Sequence, residues 1–231
     1  MKKSLFVCAA AVAAMATSAM ADTYYVRGDF NGWSNNADPM VQTGPNSYEY
    51  LVTGLTPGQA YEFKATVDDW SMSAPGSNAK HVADANGELF VTLFDTDSHG
   101  DGWNPEGKWR LGYADGGAFD WEIVGDMNGW GGGSDWHLAD YGGGWHWRIV
   151  SLSAGTYQFK FRQQGSWDFN IGDDFGNSAG NNEIFLAEDS QVEFVLDLVN
   201  GRWTAHVIPT PGSAMILGVA GLCFVPRRRR R

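Results

Sequence analysis

The chain has 231 residues, of which 43% are hydrophobic and 14% aromatic, so it can bury one or two sizeable cores and is not intrinsically disordered. Seven of its 16 basic residues lie in the two terminal segments, whereas all 27 acidic residues lie between them. The body therefore carries nine basic and 27 acidic residues, a net charge of −18, which disfavours nucleic acid and anionic membranes as partners.

The first predicted element is a secretory signal peptide over residues 1–21. Its start is basic, an apolar run follows, and the small-residue pattern Ala19-Met20-Ala21 predicts cleavage before Asp22. The two cysteines, Cys8 and Cys223, both lie in the terminal segments. We therefore expect an exported body that folds without a disulfide bond.

The body is predicted to be β-structure. Short runs rich in Val, Phe, Tyr and Trp alternate with Gly/Asn/Asp clusters, and no long stretch places apolar residues at helical spacing. In "YEFKA", Tyr61, Phe63 and Ala65 face one side of a strand, and Glu62 and Lys64 face the other. One face is expected in the core, and the opposite face carries a lysine.

The phrase "GDFNGW", from Gly28 to Trp33, predicts a strand that ends in an Asn-Gly turn, a sequence that favours positive φ. The tryptophan after this turn is expected at the edge of the sheet. A large aromatic side chain in such a place often caps a core, so this structural role stands beside a binding role.

A Gly-rich loop, "DTDSHGDGWNPEGKW", follows at residues 95–109 and is an insertion relative to the second half of the chain. Asp95, Asp97 and Asp101 are candidate oxygen ligands for Ca²⁺. The loop lacks the terminal glutamate of an EF-hand at the required spacing, so a plain hairpin loop is the favoured interpretation.

The opening phrase recurs as "GDMNGW" at residues 125–130, 97 residues after its first occurrence. Other segments recur at matching places: residues 48–50 with 145–147, 54–64 with 151–160, Trp70 with Trp167, 90–95 with 192–197, and 108–109 with 202–203. The chain is therefore predicted to hold two copies of one domain, over residues 22–115 and 116–207, which meet in the Gly-rich segment 112–120.

The second copy repeats the period of two. In "YQFKF", Tyr157, Phe159 and Phe161 are predicted to face the core, and Trp145 and Trp147 share one strand face that is also expected in the core. About seven short strands per copy predict an all-β protein of two tandem immunoglobulin-like (early-set) β-sandwich domains.

The order of these motifs, a Gly-Asp-Phe-Asn-Gly-Trp phrase, then "GLTPGQAYEFK" or "SLSAGTYQFK", then a Trp near a Gly turn, resembles the starch- and glycogen-binding modules of pullulanases, branching enzymes and the β subunit of AMP-activated protein kinase. The resemblance covers residues 24–109 and 121–207. It implies a sugar site built from two tryptophans, a lysine and an asparagine in each copy. The implied residues are Trp130, Lys160, Trp167 and Asn181 in the second copy, and Trp33, Lys64, Trp70 and Asn78 in the first.

These residue types suit a sugar, because an indole face stacks on the apolar C–H face of a pyranose and Lys and Asn donate hydrogen bonds to hydroxyl groups. Catalysis is not expected, since each copy is small for a glycosidase cleft and no nucleophile-and-base motif is present in the sequence. No cofactor is expected either, apart from the Ca²⁺ considered above.

The last predicted element, residues 208–231, places a Pro-rich turn, a 14-residue apolar run and five arginines in that order. The apolar run is shorter than the roughly 20 residues that span a bilayer. The order resembles the C-terminal sorting signal of Gram-negative bacteria named for its Pro-Glu-Pro motif (PEP-CTERM), with Pro209-Thr210-Pro211 in the place of that motif. A tail held at the membrane by its arginines is the alternative.

The sequence therefore predicts an exported, non-catalytic polysaccharide-binding protein of the cell envelope, cell surface or extracellular matrix of a Gram-negative bacterium. α-Glucan is the ligand that the resemblance implies, and signal peptidase and an exosortase-type protease are the implied processing partners. The alternative is a structural envelope or matrix protein that has no sugar site.

Overall fold

The computed structural model describes residues 23–34, 38–96, 99–107, 109–114 and 119–209. The predicted signal peptide, its cleavage site and the arginine-rich tail lie outside the described residues. Within these ranges, no helix is long and apolar enough to cross a membrane. Residues 23–114 are called the first half below, and residues 119–209 the second half.

The described residues of the first half form seven strands and one 3-10 turn. The strands are β1 (Tyr25–Gly28), β2 (Val41–Gly44), β3 (Ser47–Val52), β4 (Ala60–Thr66), β5 (Ser73–Val82), β6 (Leu89–Asp95) and β7 (Trp109–Tyr113), and the turn is Asp29–Asn31. They form two antiparallel sheets, in the order β1-β4-β5 and β2-β3-β6-β7. The two sheets therefore take their strands from interleaved parts of the sequence.

The second half has eight strands and two 3-10 turns. The strands are β8 (Trp121–Gly125), β9 (Ala139–Asp140), β10 (Trp145–Leu152), β11 (Gly155–Gln163), β12 (Asn170–Ile171), β13 (Asn182–Leu186), β14 (Ser190–Asp197) and β15 (Arg202–Ile208), and the turns are Asp126–Asn128 and Ser134–Trp136. One sheet has β11 between β8 on one side and β12 and β13 on the other. The other sheet has the order β15-β14-β10-β9.

The prediction of an all-β chain is confirmed, but the prediction of two tandem immunoglobulin-like sandwiches is wrong. The strands form four small sheets that are arranged as the four blades of a β-propeller. Most buried apolar side chains of both halves belong to one hydrophobic cluster. A period of two identifies the residues that share one face of a strand, but it does not identify what covers that face, and this is why the fold prediction is wrong.

The alternation itself is confirmed on the central strands. Phe63 and Ala65 on β4 are fully buried, as are Phe159 and Phe161 on β11, and Lys64 lies between its buried neighbours on the opposite face. These buried rings pack edge-to-face with others in the core, for example Phe159 with Phe161 at 5.6 Å between centroids.

The prediction that Trp145 and Trp147 on β10 face the core is wrong. Trp145 is 39% exposed and Trp147 is partly exposed, whereas His146 between them is buried. Both faces of this strand carry large side chains, so the period of two placed Trp145 and Trp147 together correctly without indicating which face points inward.

The two halves are joined by the loop of residues 172–181, between β12 and β13. The carboxylate of Asp174 accepts a hydrogen bond from the backbone N–H of Ser77 at 2.5 Å. The backbone N–H of Asn177 donates to the Asn78 carbonyl at 2.7 Å. Phe175 is buried, with its ring 6.1 Å from that of Tyr113 in the first half. The corresponding connection of the first half is part of the continuous strand β5, so only the second half contributes this bridging loop.

Candidate functional site

The repeated phrase forms the same turn in both halves. In the first, the Asn31 side chain accepts a hydrogen bond from the Gly28 N–H at 3.0 Å and donates one to the Val26 carbonyl at 3.0 Å. Gly32 follows with φ of 62°, in the left-handed region that the Asn-Gly pair predicted. The second half reproduces this with Asn128, Gly125, Ile123 and Gly129, at 2.9 Å for both bonds and φ of 60°.

The aspartate of the phrase fixes the tryptophan that ends it. One carboxylate oxygen of Asp29 accepts the indole N–H of Trp33 at 3.1 Å, and the other accepts the backbone N–H of Glu62 on β4 at 2.9 Å. In the second half, the same two distances join Asp126 to Trp130 and to Gln158 on β11. The turn therefore holds each tryptophan against the central strand of its sheet.

Each of these tryptophans is paired with a second one. The ring centroids of Trp33 and Trp70 lie 6.4 Å apart with 33° between their planes, and those of Trp130 and Trp167 lie 6.2 Å apart, also at 33°. Trp70 is 39% exposed and Trp167 is 46% exposed, while their partners are half-buried. We call Trp33 with Trp70 the first platform, and Trp130 with Trp167 the second platform.

An arginine supports the more exposed ring of each platform. The guanidinium carbon of Arg27 lies 4.6 Å from the Trp70 ring centroid, and that of Arg162 lies 4.6 Å from the Trp167 ring centroid. The two arginines do not correspond in the repeat. Arg27 on β1 stands opposite Lys64, where the second half has Val124 opposite Lys160, and Arg162 comes from β11. The repeated phrases therefore could not reveal this support.

Arg162 is itself held by a buried carboxylate. Glu122 on β8 accepts a hydrogen bond from the Arg162 Nε at 2.8 Å, and both side chains are almost completely buried. Burial raises the pKa of Glu122, but hydrogen bonds from the backbone N–H groups of Gly165 and Gly133 and from Arg162 outweigh it, so the pKa is lowered overall. The charged carboxylate thus keeps the guanidinium in place beneath Trp167.

The two candidate lysines lie on the central strands β4 and β11, and both bond to the protein. The Lys64 ammonium donates to the Gly76 carbonyl, and the Lys160 ammonium donates to the Ala179 carbonyl and to the Asn170 side chain. Burial lowers the pKa of both lysines. An ammonium has three N–H donors, so these bonds leave at least one on each lysine for a ligand hydroxyl.

The strand register relates the two candidate asparagines. Phe63 pairs with Ala79 and Phe159 pairs with Asn182, so Asn78 and Asn181, one residue earlier, occupy equivalent positions. Asn78 donates to the Glu62 carboxylate at 2.8 Å, and Asn181 donates to the Gln158 side chain at 2.9 Å. Glu62 and Gln158, the partners of these asparagines, also donate their backbone N–H groups to Asp29 and Asp126, which hold Trp33 and Trp130.

The candidate Ca²⁺ ligands have other partners. Both carboxylate oxygens of Asp101 bond to the Arg110 guanidinium, at 2.7 and 2.9 Å, and Asp95 accepts the Tyr24 hydroxyl. Asp97 lies outside the described residues. In the part of the chain that the structure describes, no group of three His, Cys, Asp or Glu side chains could hold a metal ion.

Comparisons with known proteins add little to this geometry. No protein-family model matches the chain, and no curated protein matches it. Among solved structures, it is similar to the pullulanase from Bacillus acidopullulyticus, with 14% sequence identity over 81% of this chain and a TM-score of 0.29. The match spans only 28% of that pullulanase. A TM-score this low carries no argument about fold or function.

Proposed function

We propose that the protein binds a neutral polysaccharide of the α-glucan class through the two tryptophan platforms, without catalysis. The observation that carries the proposal is the repetition of the platform geometry. Ring separations of 6.4 and 6.2 Å, equal tilts of 33° and equal guanidinium distances of 4.6 Å occur in both halves. The two halves have this same geometry although their supporting arginines occupy different positions in the repeat.

The exposure of the platforms favours a ligand over a purely structural role. A tryptophan stabilises a fold most when it is fully buried, yet Trp70 and Trp167 keep 39% and 46% of their surface exposed. The arginines behind them hold the rings in place, so binding costs little conformational entropy. Two rings tilted at 33° offer adjacent surfaces for two sugar units, with a lysine and an asparagine on the same sheet to bond their hydroxyls.

The two aspartates that bond to platform tryptophans support a non-catalytic role. Both oxygens of Asp29 and of Asp126 are engaged by an indole N–H and a backbone N–H. A general acid or nucleophile needs an oxygen that reaches the substrate. These carboxylates are therefore assigned to positioning the tryptophans.

A pull-down on insoluble starch tests this function. The Trp70→Ala/Trp167→Ala variant should lose most of its retention, while Trp70→Phe/Trp167→Phe, which keeps an aromatic face in each place, should recover part of it. If the wild-type chain ignores starch, glycogen and pullulan, the function is wrong, and the structural role in the envelope or matrix becomes the better account. Unfolding of the alanine variant at room temperature would also favour that role.

Export to the Gram-negative envelope, surface or matrix is a separate proposal, supported by the sequence patterns at both ends of the chain. Signal peptidase cleavage before Asp22 and exosortase-type processing of the tail are its two steps. Mass spectrometry of the cell-surface fraction should find Asp22 as the first residue. An intact Met1 in that fraction would contradict it.

A further inference from the structure

A groove lies on a different sheet from both platforms, on the outer face of the sheet β15-β14-β10-β9. It encloses about 510 Å³ and is lined mainly by Tyr141, Trp145, Trp147, Glu193 and Val195. Tyr141 is 68% exposed and Trp145 is 39% exposed. The ring of Tyr141 lies 5.5 Å from that of Trp147 with 54° between the planes, so the two rings form angled walls.

The groove is held rigid by a residue of the other half. Trp103, from the inserted loop of residues 95–109, packs edge-to-face on Trp145 with 5.6 Å between ring centroids and 81° between planes. The next residue, Asn104, exchanges backbone hydrogen bonds with Trp203 on β15, at 2.8 and 2.7 Å. The insertion, whose acidic residues suggested a metal loop, thus completes an aromatic surface on the second half.

An ion pair with one fully buried member contacts Trp103 in turn. The guanidinium carbon of Arg202 lies 4.3 Å from the Trp103 ring centroid, and the Arg202 Nε bonds to the fully buried carboxylate of Asp197 at 2.9 Å. A sequence of contacts therefore runs from a buried carboxylate to an exposed tryptophan. Such support benefits a tryptophan that binds a ligand, because preorganisation of the ring lowers the entropic cost of binding. A tryptophan that is exposed by chance has no need of it.

The chemistry of the groove fits a neutral sugar chain. Its angled aromatic rings suit the C–H faces of pyranose units, and the Glu193 carboxylate, paired with His206 at 2.9 Å, offers acceptor oxygens to hydroxyl groups at the edge. A second copy of the chain is a poorer occupant, because two bodies of net charge −18 repel each other. The same charge disfavours anionic polymers.

We propose that this groove is a third glycan-binding site, lined by the second half, supported by Trp103 of the first half, and specific for a neutral pyranose chain. It is independent of the two platforms. Trp145 and Tyr141 stack on the sugar, Trp103 positions Trp145, and Glu193 accepts hydrogen bonds from hydroxyl groups.

The test uses the full chain carrying Trp70→Ala/Trp167→Ala, so that binding at the platforms is removed. Calorimetric titration with maltoheptaose and, separately, with cellohexaose distinguishes an α-linked from a β-linked chain. We expect one of the two to bind with a stoichiometry of one. Adding Tyr141→Ala should weaken that binding by roughly tenfold, the value of one lost stacking contact. The matched control Leu51→Ala, which removes an exposed apolar side chain from the first half, should leave it unchanged.

Trp103→Ala adds a readout of positioning, because it should weaken binding although Trp103 does not line the groove. Three outcomes would overturn the proposal. The first is that neither oligosaccharide binds the background variant. The second is that Tyr141→Ala binds as well as the Leu51→Ala control. The third is that sedimentation shows a dimer that Tyr141→Ala dissociates, in which case the occupant is a second copy. A failure of the proposed platform function would be seen in a separate experiment. In that case the wild-type chain is retained on starch, and Trp70→Ala/Trp167→Ala does not reduce this retention.

Discussion

At the scale of single residues, the two platforms show that equal geometry can arise from unequal sequence. The tryptophans, lysines and aspartates of the two halves match in sequence, and pattern reasoning found the tryptophans and lysines. The supporting arginines, Arg27 and Arg162, come from different strands of the repeat. No comparison of the two copies could find them, because the shared property is a distance to an indole ring rather than a position in a motif.

The first prediction concerns the ion pair beneath the second platform. Arg162→Met removes the guanidinium and leaves the Glu122 carboxylate buried without its cation, which should lower the free energy of unfolding by about 3–5 kcal/mol. Urea denaturation at neutral pH measures the change. The double variant Glu122→Gln/Arg162→Met should recover part of the loss. A cost no greater than the about 1 kcal/mol of an exposed ion pair would show that the carboxylate is not buried in solution.

At the scale of elements, the period of two predicted which residues share a strand face, but it did not predict which sheet or solvent that face meets. This distinction accounts for the success on β4 and β11 and for the error at Trp145. It also accounts for the wrong fold prediction, since local alternation is the same whether a sheet packs as one half of a sandwich or as one blade among four. The inserted loop of residues 95–109 was identified from the repeat, and its role became clear only from its contacts.

The second prediction concerns that loop. Hydrogen bonds from Arg110 hold the pKa of Asp101 well below its usual range. A carboxyl group whose pKa is depressed by folding stabilises the fold above its unfolded pKa of about 3.9, and the contribution is lost as the pH falls towards the folded pKa. Asp101→Asn should therefore lower the melting temperature at pH 7, and the difference from wild type should shrink below about pH 4. A difference that is constant from pH 7 to pH 3 would contradict this role.

At the scale of the whole molecule, the two halves share a core and contact each other. Most of their buried apolar residues form one cluster, and the loop of residues 172–181 and residues 103–104 of the insertion each contact the opposite half. The sequence indicated the duplication, but a repeat alone does not show whether its copies fold separately. The connection of residues 172–181 is six residues longer than its counterpart, residues 75–78. This difference in length is the feature of the sequence that indicates a contact made by one half alone.

The third prediction tests this joining. Phe175→Ala removes a buried ring that contacts Tyr113 of the other half and should lower the free energy of unfolding by about 3–5 kcal/mol. Differential scanning calorimetry should show one transition for the wild-type chain, moved to lower temperature in the variant. Phe185→Ala, which truncates an exposed ring on β13, is the matched control and should have little effect. Two well-separated wild-type transitions would mean that the halves unfold independently.

The central claim is that the tryptophan platforms bind α-glucan, and the indole N–H resonances of the tryptophans test it most directly. In an NMR titration with maltoheptaose, the resonances of Trp33, Trp70, Trp130 and Trp167 should shift together and saturate, because sugar stacks on these rings. The resonances of the buried Trp121 and Trp203 should stay in place. If maltoheptaose at millimolar concentration leaves all four platform resonances unmoved, the platforms do not bind α-glucan.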